Sequence, residues 1–134
     1  MPTILVVDDE PQIRTLVGRI LERQGYKVVL CQGSAEALAA PPPIDLLLVD
    51  LMIPDVNGHQ IAEQMRARWP NLPVLMMSGY PPEYGATLGP PSAFLQKPML
   101  PAAVVEAVEK LLREKHSRTS TAGEAVLTPG SEPV

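Results

Sequence analysis

Five side chains could share one piece of chemistry: Asp8, Asp9, Asp50, Ser78 and Lys97. Each lies directly after a short apolar run. Asp8 and Asp9 follow Ile4–Val7, Asp50 follows Ile44–Val49, Ser78 follows Val74–Met77, and Lys97 follows Ala93–Gln96. Three carboxylates at one spot repel one another, and each resists ionising unless a cation compensates. Asp8, Asp9 and Asp50 supply −3, Lys97 supplies +1, and one Mg²⁺ would bring the set to zero. Mg²⁺ takes an octahedron of oxygens and keeps several waters, so two or three carboxylates suit it. One carboxylate could then attack phosphorus and form an aspartyl phosphate. Mg²⁺ and Lys97 would neutralise the oxygens of the transferred group, and the Ser78 hydroxyl could donate to one of them.

That chemistry requires the five residues to meet, and the pattern of elements brings them together. Apolar runs alternate with helical repeats along the chain. Ile4–Val7 reads as a strand buried on both faces. Ile13, Leu16, Val17, Ile20 and Leu21 recur at helical spacing, with Pro11 in the first turn and Gly25 as the stop. Lys27–Cys31 is the second strand. Ser34 is placed to cap a short helix ending before Pro41, Pro42 and Pro43. After the third strand, Gly58 permits a tight turn into a helix carrying Ile61, Met65 and Trp69 on one side. The last helix starts near Pro101 and buries Val104, Val108, Leu111 and Leu112. Alternation of this kind predicts an α/β fold: a doubly wound, five-stranded parallel sheet with right-handed crossovers. Ligands of such sheets lie beyond the carboxyl ends of the strands, where the five residues stand.

The ordered set DDE, LLLVDLMIPDVNG, SG and FLQKP resembles the receiver domain of bacterial two-component response regulators over roughly residues 3–115. The resemblance implies a flavodoxin-like strand order 2-1-3-4-5. It also implies a role for each matching position. Asp50 matches the phosphoacceptor, Asp8 and Asp9 the acidic pair that holds Mg²⁺, and Met52 the residue whose backbone carbonyl also ligates the metal. Ser78 matches the switch hydroxyl, Lys97 the phosphate-binding lysine, and Phe94 the aromatic whose rotamer reports activation. Pro98 matches the residue after a cis peptide bond. Met52 and Tyr80 fall where the family varies residues to set the phosphoryl lifetime. The implied partners are a sensor histidine kinase or phosphotransfer protein and an unknown downstream protein. Two contexts stay open, a stand-alone regulator and the receiver of a hybrid histidine kinase.

Two departures from the family pattern stand out. Leu100 occupies the position of a usual helix cap. The fourth crossover, Gly79–Ser92, contains Gly79, Pro81, Pro82, Gly85, Gly89, Pro90 and Pro91, so its helix should be shortened or irregular. Residues 1–115 are expected to form the receiver, and 116–134, rich in Ser, Thr, Gly and Pro, a disordered tail.

Composition narrows the alternatives. The chain has 134 residues, 46% hydrophobic, with a net charge of −4, which fits one globular domain without a large nucleic-acid footprint. The first residues are neither a signal peptide nor a membrane span, so a cytoplasmic location is expected, with neither nucleic acid nor membrane as partner. Cys31, the single cysteine, reads as a buried inert thiol. Taken alone, Ser78 would be a turn serine, Lys97 a surface lysine, and Asp9 a cap for the first helix. Asp55 would serve a turn. Asp45 lies about 16 Å down the strand from Asp50 at the usual rise and should be solvated. His59 and His116 are expected to face solvent. A Mg²⁺-dependent phosphatase of the haloacid-dehalogenase kind would instead resemble D-x-D-x-T after strand one and usually carry a cap domain. A docking scaffold that is never phosphorylated would have no use for the full acidic set.

Overall fold

The computed structural model describes residues 2–52, 57–79 and 88–124, with residues 115–124 as backbone only. The described elements are β1 (Thr3–Val7), α1 (Pro11–Arg23), β2 (Lys27–Cys31), α2 (Ser34–Ala39), β3 (Leu46–Asp50), α3 (Gly58–Arg68), β4 (Val74–Ser78), β5 (Ser92–Gln96) and α4 (Pro101–Glu124). All four strand pairings are parallel and the order is β2-β1-β3-β4-β5. This is the expected doubly wound sheet with the flavodoxin-like order.

Period-two alternation divides each central strand between two cores. Leu5 and Val7 of β1, Leu47 and Val49 of β3, and Val74 and Met76 of β4 pack with Ala37 of α2 and Ile61, Ala62 and Met65 of α3. Ile4, Val6, Leu46, Leu48, Leu75 and Met77 pack on the other face with Val17 and Leu21 of α1 and Val104, Val108 and Leu111 of α4. Both faces are covered, so the central strands are unbroken apolar runs. The edge strands lack that double cover. Leu30 on β2 is accordingly exposed, as is Leu16 on α1 despite its place in the helical repeat.

Several local expectations are corrected. Asp45 is not simply solvated. Its carboxylate accepts the Thr3 N–H at 2.8 Å while its own N–H donates to the Thr3 carbonyl, so it ties the start of β1 to the residue before β3. The third strand therefore begins at Leu46 rather than Ile44. Ser34 is the first residue of α2, not its cap; Gly33 takes the cap position without a side-chain bond. Glu10, not Asp9, is the N-cap residue of α1, and no side chain caps that helix. His59 is largely covered and lies 3.7 Å from Glu63, one turn along α3. Leu100 does precede α4 as an uncapped residue, its carbonyl accepting from Ala103 and Val104.

The last helix runs to Glu124, so residues 116–124 carry helical backbone where a tail was expected. No proline occurs between Pro101 and Pro129, and nothing in that stretch forces the helix to stop. Residues 125–134 lie outside the described residues, as do Asp55, Tyr80 and the fourth crossover at 80–87. Arg66 of α3 holds the far end of that crossover. Its guanidinium donates to the carbonyls of Gly89 and Pro91, and its Nε to that of Leu72. Gly25 ends α1 with φ 94°, the left-handed conformation that favours glycine.

Candidate functional site

Register places the five candidate residues at one edge of the sheet. Val7 pairs with Val49, Asp50 with Met77, and Ser78 with Gln96, so the last residues of β3 and β4 and the first residues after β1 and β5 stand side by side. Lys97 is drawn in by its own backbone, whose N–H donates to the Ser78 carbonyl at 2.7 Å. The Lys97–Pro98 peptide bond is cis.

The Lys97 ammonium is the hub. Its Nζ lies 2.9 Å from Asp50 Oδ2, 3.0 Å from Asp8 Oδ2 and 3.1 Å from Glu10 Oε1. An ammonium has three N–H donors, and here each meets a different carboxylate. The second oxygens of the two aspartates are also occupied. Asp8 Oδ1 accepts the Glu10 N–H at 2.9 Å, and Asp50 Oδ1 accepts the Met52 N–H at 2.9 Å. The Arg14 guanidinium donates to the Asp8 carbonyl. Asp8, Asp50 and Ser78 are buried.

Burial raises the Asp8 carboxyl above the ordinary carboxylate range, and the charge of Asp50 adds to the rise. The Glu10 N–H and the Lys97 ammonium oppose it without reversing it. For Lys97, burial favours the neutral amine, but the bonds to Asp50 and Asp8 and their charges outweigh it, so its pKa is raised. The ammonium therefore stays charged at every physiological pH.

One oxygen from each of Asp8, Asp9 and Asp50 lies within 4.8 Å of the others. Mg²⁺ bonds oxygen at about 2.1 Å, so its ligand oxygens stand roughly 3–4 Å apart. Small side-chain movements bring the three into that range, and hard carboxylate oxygens suit this ion. The donor set thus fits a divalent cation.

The turn after β3 is shaped by Gly58. Its N–H donates to the Leu51 carbonyl at 3.2 Å, and a β-carbon there would stand 2.1 Å from the Asp50 carbonyl oxygen. The glycine serves a close backbone approach rather than a special dihedral. Asn57 caps α3 by accepting the His59 N–H at 2.7 Å. Met52 has an exposed side chain. Phe94, on β5 opposite Met76, is half-buried and packs on the core beneath α2 and α3. Cys31 is buried and its thiol is pushed up to about 11, chiefly by burial, which makes it a poor nucleophile.

Sequence reasoning missed Glu10 and Arg14 as members of this neighbourhood. Both lie close to the acidic pair in sequence, but only the turn into α1 aims them at Lys97 and the Asp8 carbonyl.

Comparison with known proteins agrees with the geometry. The model of the response regulator receiver domain family matches residues 4–109. The alkaline phosphatase synthesis transcriptional regulatory protein PhoP of Bacillus subtilis is 36% identical over 115 residues, covering 82% of this chain and 48% of that protein. The chain thus spans about half the length of the curated relatives it matches. A CheY-like receiver domain protein from Methanospirillum hungatei superposes with a TM-score of 0.78 at 28% identity, over 88% of this chain and 98% of that one. The response regulator TrrA of Thermotoga maritima, solved in complex with Mg²⁺-BeF, superposes with a TM-score of 0.74 at 28% identity, over 83% of this chain and 99% of that one. The chain belongs to the response regulator receiver domain family and is a signalling switch of the two-component kind.

Proposed function

We propose that Asp50 is the phosphoacceptor of this receiver and that a sensor histidine kinase or phosphotransfer protein supplies the phosphoryl group. The observation that carries this reading is the Lys97 ammonium 2.9 Å from Asp50 Oδ2, inside a cluster of three aspartates. An Asp50 carboxylate oxygen attacks phosphorus, the P–N bond to the donor histidine breaks, and its electron pair returns to the imidazole. Lys97 follows the charge from the carboxylate to the phosphoryl oxygens, and the Ser78 hydroxyl donates to another of them. Asp8, Asp9, Asp50 and the Met52 carbonyl would hold Mg²⁺, which when bound supplies positive charge to the phosphoryl oxygens. Hydrolysis, by water attack on phosphorus, returns the free carboxylate. The chain then turns over no outside substrate and acts as a switch, not an enzyme, in a cytoplasmic relay.

Movement of the Ser78 hydroxyl toward the phosphoryl group leaves space for the half-buried Phe94 ring to turn inward, which passes the change to a downstream protein. The test is phosphorylation by a small acyl phosphate with Mg²⁺, reductive trapping and mass spectrometry. Label is expected on Asp50 in the native chain and absent from Asp50→Ala. Equal labelling of the variant sinks the assignment.

A further inference from the structure

Lys97 is held from two sides. Asp8, fully buried, and Asp50, 5% exposed, lie on the floor of the site, whereas the Glu10 side chain is 58% exposed and stands at its rim. Glu10 is not free to wander. Its N–H is bonded to Asp8 Oδ1, its carbonyl accepts the Arg14 N–H at 3.0 Å, and Pro11 follows it as the first residue of α1. Its backbone is therefore pinned, and its carboxylate takes the third donor of the ammonium.

A transferred phosphoryl group brings further negative charge to Asp50 and needs a Lys97 N–H. With all three donors occupied, an incoming anion must compete for the ammonium. Asp50 gives up its bond as it is modified, and Asp8 is screened by any cation it holds. Glu10 is neither modified nor part of the aspartate cluster. Its exposed charge also opposes the approach of an anionic donor.

We propose that Glu10 is a positioning residue that restrains the Lys97 ammonium and so slows phosphoryl capture on Asp50. The inference rests on the phosphoacceptor reading above and adds the control of that step. The ion pair at the rim is open to water, so its effect is modest and fades as salt screens it.

The experiment compares the native chain with Glu10→Gln and Glu10→Ala at saturating Mg²⁺, with acetyl phosphate as donor, at low and high ionic strength. At low salt both variants should take label roughly two- to five-fold faster, the range spanned by exposed ion pairs, and the gap should close at high salt. Beryllofluoride affinity should tighten by a similar factor, which reads the same competition with no transfer step. A purely structural role for Glu10 would not strengthen anion binding. Rates and affinities that are unchanged, reduced, or shifted equally at all salt concentrations overturn the proposal. Failure of the native chain to take label on Asp50 counts against the phosphoacceptor reading instead. Label on Asp50 with no gain in the variants counts against Glu10 alone.

Discussion

A β-carbon on Gly58 would lie 2.1 Å from the Asp50 carbonyl oxygen, so the first residue of α3 is packed against the backbone of the candidate acceptor. That contact is backbone to backbone, and no side-chain rotation relieves it. Gly58→Ala must push α3 away from the end of β3. We expect a loss of about 1–3 kcal/mol or more, the usual range for overpacking. Urea unfolding measures it, and labelling of Asp50 in the remaining folded protein should also fall. Native-like stability in this variant contradicts the contact.

Mg²⁺ should raise the melting temperature, because a ligand that binds only the folded state stabilises it by mass action. At a hundred times its Kd the gain is about 2.7 kcal/mol. EDTA should reverse the shift. Asp9→Asn should weaken it, since one of the three clustered oxygens then lacks charge. Identical melting curves with Mg²⁺ and with EDTA would refute the metal assignment.

The raised pKa of Asp8 has a stability consequence of definite sign. A carboxyl whose folded pKa exceeds its unfolded value favours folding below the unfolded pKa, and that contribution is lost as pH rises through the folded value. The metal-free protein therefore loses stability as rising pH charges the buried Asp8. Asp8→Asn should match the native chain near pH 4 or below. It should become more stable than the native chain at pH 7, by on the order of 1 kcal/mol. Chemical unfolding in EDTA at the two pH values tests this, and a difference that shrinks with rising pH gives the wrong sign.

Arg66 donates to the carbonyls of Leu72, Gly89 and Pro91, joining α3 to the approaches of β4 and β5. Arg66→Ala leaves those acceptors to water or unsatisfied. A loss of about 1–3 kcal/mol is expected. Amide exchange should quicken through residues 88–96, the segment leading to Phe94. Unaltered protection there would mean that the guanidinium is not what holds the end of the fourth crossover.

The sequence by itself determined the sheet and the membership of its acidic edge. Unbroken apolar runs such as Ile4–Val7 mark strands covered on both faces, and parallel crossovers send every strand's carboxyl end to the same side. Polar residues placed just after those runs therefore converge, so Asp8, Asp9, Asp50, Ser78 and Lys97 could be gathered from a linear reading. What tertiary structure decided is which groups bond to which. Glu10 reaches a lysine 87 positions away, and Arg66 reaches carbonyls 23 and 25 positions on. Asp45 bonds to Thr3, 42 positions earlier. Local pattern reports the face and period of a side chain, whereas a hydrogen bond depends on two distant backbones arriving within about 3 Å. Ser and Thr weaken a helix without terminating it, so α4 continues to Glu124 where composition suggested a tail.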